Sequence, residues 1–107
     1  DAGEAVNPDG LKAQTEGGML QAVSWTLLEE VQFDPKEILS KDWRNYDILR
    51  FDAVPEMEVT VLNRPQEPPL GAGEAAQGPA GAAVANAVYA ASGKRVRALP
   101  VGKGVFG

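Results

Sequence analysis

The sequence has 107 residues, with 10 basic and 15 acidic side chains, a formal net charge of -5, and neither Cys nor His. This length fits one domain with a small core. Because thiols and imidazoles are absent, the chain by itself cannot build a structural zinc site, an iron–sulfur cluster, a disulfide framework or a Ser-His-Asp triad.

The charges are distributed unevenly along the chain. Residues 1–63 carry 13 acidic and 5 basic side chains, whereas residues 64–107 carry 2 acidic and 5 basic ones. The acidic part would repel phosphates, and Phe106 is the one aromatic residue near the basic C-terminal segment, so we expect no nucleic-acid binding. No apolar run approaches the ~20 residues of a membrane span, which predicts a soluble chain.

The first predicted element is a helix over about residues 8–31. Asn7 is a good helix cap, Pro8 suits the first helical position, and Asp9 suits the positive end of the helix dipole. Three- and four-residue spacing places apolar side chains on one stripe of this helix, namely Leu20, Val23, Leu27 and Val31.

A second face of this helix carries Gln14, Gly17, Gly18 and Gln21. Each interior glycine lowers helix stability by ~1 kcal/mol relative to Ala, so this face is expected to lie close to another group. Two interpretations remain open. The glycines either allow another helix to cross closely, or leave room for a cofactor to which Gln14 offers its amide.

The middle of the chain predicts short extended elements. Asp34-Pro35 is typical of a turn, and the residues on either side of it could pair as a short hairpin over 31–39. Residues 40–52 show no sustained period. Residues 56–62 alternate between polar and apolar side chains, which predicts a half-buried strand.

A long loop rich in proline and glycine follows, over about residues 63–81. Loops of this length in small domains are often functional. Within it, Glu74 comes directly after the turn Gly71-Ala72-Gly73, where a carboxylate could be held to remove a proton. The alternative is that Glu74 is a solvated loop residue or caps the next helix.

The last predicted elements are an apolar helix over about 80–92, ended by Gly93, and an edge strand over 94–101. Residues 102–107 are expected to form a flexible tail. The whole chain is therefore predicted to be an α+β unit over 1–101, with two main helices, a hairpin and one or two further strands. These strands are too few to complete a sheet, so the unit is expected to be part of a larger domain.

Taken together, several blocks of the sequence resemble the large subunit of molybdenum hydroxylases, the xanthine dehydrogenase and aldehyde oxidase family, in its C-terminal part. The bacterial aldehyde and isoquinoline oxidoreductase large subunits are the most similar branch. The order and spacing of the blocks carry the resemblance, which covers about residues 1–100. The blocks are residues 7–10, 14–18 running into Gln21 and Trp25, 29–30, 68–74 and 83–91.

The resemblance implies a molybdopterin cofactor and oxidation of aldehydes or N-heterocycles. The family's glutamate after Gly-x-Gly, which matches Glu74, acts as a base toward a hydroxyl ligand of the metal without itself being a metal ligand. Gln14 matches a glutamine whose amide lies near the metal ligands. Gly17 and Gly18 would then be part of the cofactor wall, and Gly73 would place backbone against the site.

The chain departs from the family in two respects. Many relatives follow the glutamate with two prolines, where this chain has Ala75-Ala76, and family subunits are several times longer. The chain is therefore expected to be a segment of such a subunit and to be inactive alone. Its expected partners are the remainder of the large subunit and a subunit or domain with iron–sulfur clusters. The expected location is the bacterial cytoplasm or periplasm. Self-association of the segment is expected. The alternative is a non-enzymatic module that pairs with another chain through exposed apolar surface.

Overall fold

The computed structural model describes residues 1–104 and is dominated by helices. Helix α1 spans Pro8–Leu27, α2 spans Gln77–Ser92 and the short α3 spans Val101–Gly104, with a 3-10 turn at Phe51–Ala53. None of the helices within the described range is long and apolar enough to cross a bilayer. The first residues of the predicted tail belong to α3, and its last three, 105–107, lie outside the described residues.

Helix α1 begins where the sequence predicts and ends earlier. The Asn7 side chain accepts a hydrogen bond of 2.9 Å from the Gly10 amide, and Pro8 occupies the first helical position. At the other end, Leu28 leaves the helical conformation with φ -128. The buried Ser24 hydroxyl in the last turn accepts a 2.9 Å hydrogen bond from the Leu49 amide. The Leu28 amide donates a 2.9 Å hydrogen bond to the Ser24 carbonyl oxygen, and the helix ends there although the apolar periodicity predicts it to residue 31.

Helix α2 begins three residues before the predicted start. Pro79 falls within its first turn, where a backbone N–H has no intrahelical partner and proline is therefore tolerated. The predicted end is confirmed. Gly93 adopts φ 71, and its amide donates a 2.8 Å hydrogen bond to the Tyr89 carbonyl oxygen.

The two long helices pack through small residues. Gly18, Ala22 and Thr26 are spaced four apart on α1 and all three are buried. On α2, a Cβ added to Gly81 would lie 3.1 Å from the Thr26 hydroxyl oxygen. The predicted apolar stripe of α1 is less buried than this small-residue face, since Leu20, Val23 and Leu27 are half-buried and Val31 is exposed.

The predicted strands are not formed within residues 1–104, and the described part of the chain is a helix-rich unit in place of the predicted α+β class. The predicted hairpin is reduced to one isolated antiparallel bridge between Phe33 and Ile38. The turn itself forms as predicted, because the Asp34 carboxylate accepts hydrogen bonds from the Lys36 and Glu37 amides at 2.7 and 2.9 Å.

The other two predicted strands fail for different reasons. Residues 56–62 keep the predicted alternation of exposure, but the described residues supply no strand to pair with them. Residues 94–100 are irregular and lead into α3, where Val101 is 1% exposed and a Cβ on Gly102 would lie 3.0 Å from the Leu27 carbonyl oxygen. Packing of α3 on α1 therefore replaces the predicted edge strand.

The chain is extended for its length. Its radius of gyration is 16.9 Å, whereas a compact domain of 100 residues has a radius of about 13 Å. Large apolar side chains are exposed, among them Phe51 at 100% and Leu62 at 81%. Little apolar surface is buried, since Ala22 and Val101 are the buried hydrophobic residues within the described part of the chain.

Candidate functional site

Three segments that are distant in sequence meet at one end of α1. They are the N-terminal residues 2–7, the first two turns of the helix and the loop residues 69–73. Together they surround an open cavity of about 320 Å³. Its lining residues are Ala2, Glu4, Ala5, Val6, Asn7, Gly10, Leu11, Gln14, Pro69, Leu70, Ala72 and Gly73.

The N-terminal segment holds the loop by backbone hydrogen bonds. The Glu4 amide donates to the Glu67 carbonyl oxygen at 3.2 Å, and the Leu70 amide donates to the Ala2 carbonyl oxygen at 3.0 Å. Gly3, between them, is buried with φ 64, and a Cβ there would collide with the Pro68 carbonyl oxygen. Glycine is needed at this position both for its conformation and for the close approach of the loop.

Gln14 connects α1 directly to the loop. Its side-chain amide donates a 2.6 Å hydrogen bond to the Gly73 carbonyl oxygen. Two of the residues singled out in the sequence, 59 positions apart, are therefore brought into contact. No other hydrogen bond is formed by the Gln14 side chain with the described part of the chain, so its carbonyl oxygen remains able to accept one.

Glu74 follows Gly73 and precedes α2. Its backbone carbonyl oxygen accepts a 3.2 Å hydrogen bond from the Gln77 amide, which places the residue in the turn that starts the helix. The side chain is exposed. Within residues 1–104, its carboxylate forms no hydrogen bond or ion pair.

The two glycines of the predicted cofactor wall occupy different environments. Gly18 is buried, and a Cβ there would be 3.5 Å from the Ala76 Cβ atom, so Gly18 lies in the contact with the start of α2. The crossing interpretation therefore describes Gly18. Gly17 is exposed, and a Cβ there would have no described atom within 4 Å. Among the described residues, Gly17 therefore has no close neighbour that would require a glycine at this position.

The contribution of residues 2–5 to this site was not predicted from the sequence. Gly3 was the available signal, but one glycine near a chain end is common and does not identify its contact. Its pairing with residues 67–68 depends on the path of the whole chain.

Ala75 and Ala76 form the turn between Glu74 and α2.

The residues at this opening fit one wall of a polar cofactor site. The Gln14 carboxamide has unused hydrogen-bonding capacity, and the loop brings backbone to the same opening. Gly17 leaves open space on the exposed face of α1 but is not among the residues that line the cavity. The cavity is open, whereas ligand sites usually bury most of the ligand. These residues could therefore hold one side of a molybdopterin group and would need further protein to enclose it.

Comparison with known proteins agrees with this geometry. Residues 1–55 match the family model described as a molybdopterin cofactor-binding domain. These residues are about half of the chain and include the N-terminal segment and the whole of α1. The chain belongs to the molybdopterin cofactor-binding domain family, and the resemblance to molybdenum hydroxylase large subunits is thereby confirmed.

The relatives are components of larger oxidoreductases. The chain is 45% identical over 101 residues to a nicotinate dehydrogenase subunit of Pseudomonas putida, covering 94% of this chain and 8% of that protein. It is 33% identical over 101 residues to the beta subunit of isoquinoline 1-oxidoreductase of Brevundimonas diminuta, covering 94% of this chain and 13% of that protein.

A third relative is the aldehyde oxidoreductase molybdenum-binding subunit PaoC of Escherichia coli. The identity is 33% over 107 residues, covering 94% of this chain and 15% of that protein. The chain therefore spans between 8% and 15% of the length of these three relatives.

Proposed function

We propose that this chain is one segment of the catalytic subunit of a molybdenum hydroxylase, to which it contributes the catalytic base and part of the cofactor wall. The observation that carries the proposal is the hydrogen bond from Gln14 to the Gly73 carbonyl oxygen, next to Glu74. This hydrogen bond joins α1, which lies within the residues that match the cofactor-binding family model, to the loop that carries Glu74, the candidate base.

The proposed substrates are aldehydes or N-heterocycles. The names of the relatives support both classes, since they include a nicotinate dehydrogenase, an isoquinoline oxidoreductase and an aldehyde oxidoreductase. Nicotinate and isoquinoline are aromatic rings with a nitrogen atom. The reaction class is oxidation at an electron-poor carbon.

In this reaction, Glu74 would act as the general base. When bound, the molybdopterin centre supplies the acceptor for the two electrons removed from the substrate. Water would supply the oxygen atom added to the substrate, and two protons are released with the two electrons. The Glu74 carboxylate oxygen would take one of these protons, a role that suits a carboxylate with no ion pair to the described residues. Its short connection to Gly73, which Gln14 holds, limits where this carboxylate can lie.

The other proposed site residues bind and orient. The Gln14 amide would act both on the loop and on the cofactor, because its carbonyl oxygen is still available. Gly17 would admit the cofactor to the exposed side of α1, and Gly73 would place backbone beside it. Gly18 would support this wall from behind, since it allows the start of α2 to pack closely on α1.

The chain by itself is proposed to be inactive and to bind no molybdopterin tightly. Its cavity is open, and one amide with glycine-lined surface cannot enclose a cofactor. The remainder of the large subunit and an iron–sulfur subunit or domain are the proposed partners. The small proportion of each relative that the chain spans supports this arrangement.

The test is Glu74→Gln in the complete subunit. Gln keeps the size of the side chain but cannot accept the proton, so turnover should fall by the ~10²- to 10⁴-fold typical of losing a general base. Molybdenum content should stay at the wild-type level. Glu67→Gln is a matched control, because Glu67 is an exposed carboxylate of the same loop and lies 3.7 Å from an Arg64 nitrogen on the surface.

Full turnover in Glu74→Gln with full cofactor content would overturn the catalytic assignment. Absence of molybdenum from the purified complete subunit would instead favour the alternative, a non-enzymatic interaction module. Gln14→Ala is expected to differ from Glu74→Gln, since it should reduce cofactor retention while leaving the proton acceptor in place.

A further inference from the structure

Residues 56–62 have the exposure pattern of a strand without a strand partner. Met57, Val59 and Val61 are half-buried, whereas Glu56, Glu58, Thr60 and Leu62 are exposed. The second half of the segment lines a second cavity, of about 470 Å³, together with Leu11 and Thr15 of α1; its lining residues from the segment are Val59, Thr60, Val61 and Leu62. The segment therefore lies beside α1, and its exposure alternates with the two-residue period of a strand.

The backbone of this segment is unpaired. Within the described range, no amide or carbonyl group of residues 55–62 forms a hydrogen bond with another protein group. Seven successive residues with free backbone groups and one apolar face are a template for an added strand. Pro55 lies where proline is tolerated, at the entrance to a strand.

The charge of the segment indicates the kind of strand that would pair with it. Residues 51–63 contain Asp52, Glu56 and Glu58 and no basic residue. None of the ion pairs among the described residues includes Glu56 or Glu58. Opposite charges stabilise cross-strand pairs and like charges weaken them, so a partner with Lys or Arg opposite these glutamates is favoured.

We infer that residues 56–62 form a strand of a sheet completed by an extended, basic segment from the remaining part of the same subunit. The relatives supply the length for such a segment, because at least 85% of PaoC lies outside the matched region. The inference rests on the proposal that the chain is part of a larger subunit. It does not depend on the role of Glu74.

The test is hydrogen exchange of the complete subunit, measured by mass spectrometry on peptides that cover residues 56–62. Pairing should slow exchange of these amides by at least ~100-fold relative to the isolated 107-residue chain, since paired core strands open rarely. Exchange as fast in the complete subunit as in the isolated chain would overturn the inference. Because the readout is not turnover, its failure is distinguishable from failure of the Glu74 assignment.

Charge reversal tests the nature of the partner. The double variant Glu56→Lys and Glu58→Lys should lose most of this protection, whereas Asp52→Lys, in the neighbouring 3-10 turn, should retain it. Protection that survives the double reversal would overturn the basic partner. Protection that appears in the isolated chain as its concentration rises would show that a second copy pairs with the strand, and would overturn assignment to the remaining part of the subunit.

Discussion

The Tyr46 hydroxyl donates a 2.8 Å hydrogen bond to the Glu29 carboxylate, which joins the irregular segment after the Asp34 turn to the residues that follow α1. The hydrogen bond to Glu29, together with desolvation and the Glu29 charge, raises the pKa of Tyr46 above its ordinary value of 10.0. A raised pKa in the folded state means that the contribution of this contact to stability is complete below about pH 10. It is lost as the pH rises through the folded-state pKa.

Glu29→Gln should therefore lower the pKa of Tyr46 toward its ordinary value. The sequence has two tyrosines, so the measurement uses a Tyr89→Phe background, in which ultraviolet absorbance of tyrosinate reports Tyr46 alone. Glu30→Gln in the same background is the control, because it changes a neighbouring charge without removing the acceptor of the Tyr46 hydrogen bond. An unchanged Tyr46 titration in Glu29→Gln would contradict the contact.

Gly3→Ala should release the loop that carries Glu74. The left-handed conformation of Gly3 disfavours a side chain by roughly 1–2 kcal/mol, and the added Cβ would collide with the Pro68 carbonyl oxygen. We expect a lower unfolding temperature and faster proteolysis within residues 63–76. Gly71→Ala is the matched control, since a Cβ there has no described atom within 4 Å. Equal behaviour of the two variants would argue against the anchoring role of Gly3.

Gly17→Ala should stabilise the chain more than Gly81→Ala. Replacing Gly17 should stabilise α1 by ~1 kcal/mol, because the added Cβ meets no described atom. At Gly81 the same gain in helix propensity is offset, because the Cβ would lie 3.1 Å from the Thr26 hydroxyl oxygen and Thr26 would have to move to accommodate it. Thermal unfolding of the two variants gives the comparison.

The Thr26→Ala background checks the cause of the Gly81 effect. It removes the hydroxyl that the new Cβ would contact, so Gly81→Ala should be better tolerated there than in the wild type. In the complete subunit, Gly17→Ala should in addition reduce molybdenum content if the cofactor lies against this face. Normal cofactor content in a stabilised Gly17→Ala subunit would remove Gly17 from the proposed wall.

The isolated chain should self-associate. Phe51 is fully exposed and Phe33 is 74% exposed, and exposed apolar side chains of this size favour association between chains. Light scattering over a range of concentrations should show mass above 11.3 kDa, the mass of one chain. Phe33→Ser with Phe51→Ser should shift the distribution toward the monomer. A wild-type chain that is monomeric at all concentrations would contradict this prediction.

The segments that resemble the family, the start of α1 and the end of α2 could be predicted from the sequence. Asn7 caps α1 through the Gly10 amide three residues away, and Gly93 ends α2 through its left-handed conformation. These interactions lie within a few residues of each other, so residue type and spacing are sufficient to indicate them. The same applies to Asp34, whose carboxylate organises its own turn.

The tertiary structure decided the features that depend on distant partners. Residues 56–62 have the pattern of a strand, but a strand is defined by hydrogen bonds to another segment, which the described residues do not supply. Gly17 and Gly18 are adjacent in sequence, yet the path of α2 buries Gly18 and leaves Gly17 exposed. The contact of Gln14 with Gly73 spans 59 positions and depends on the anchoring of the loop by residues 2–4. Local sequence determined which residues were suited to the site, and long-range packing determined which of them meet, because the loop must first be held against α1.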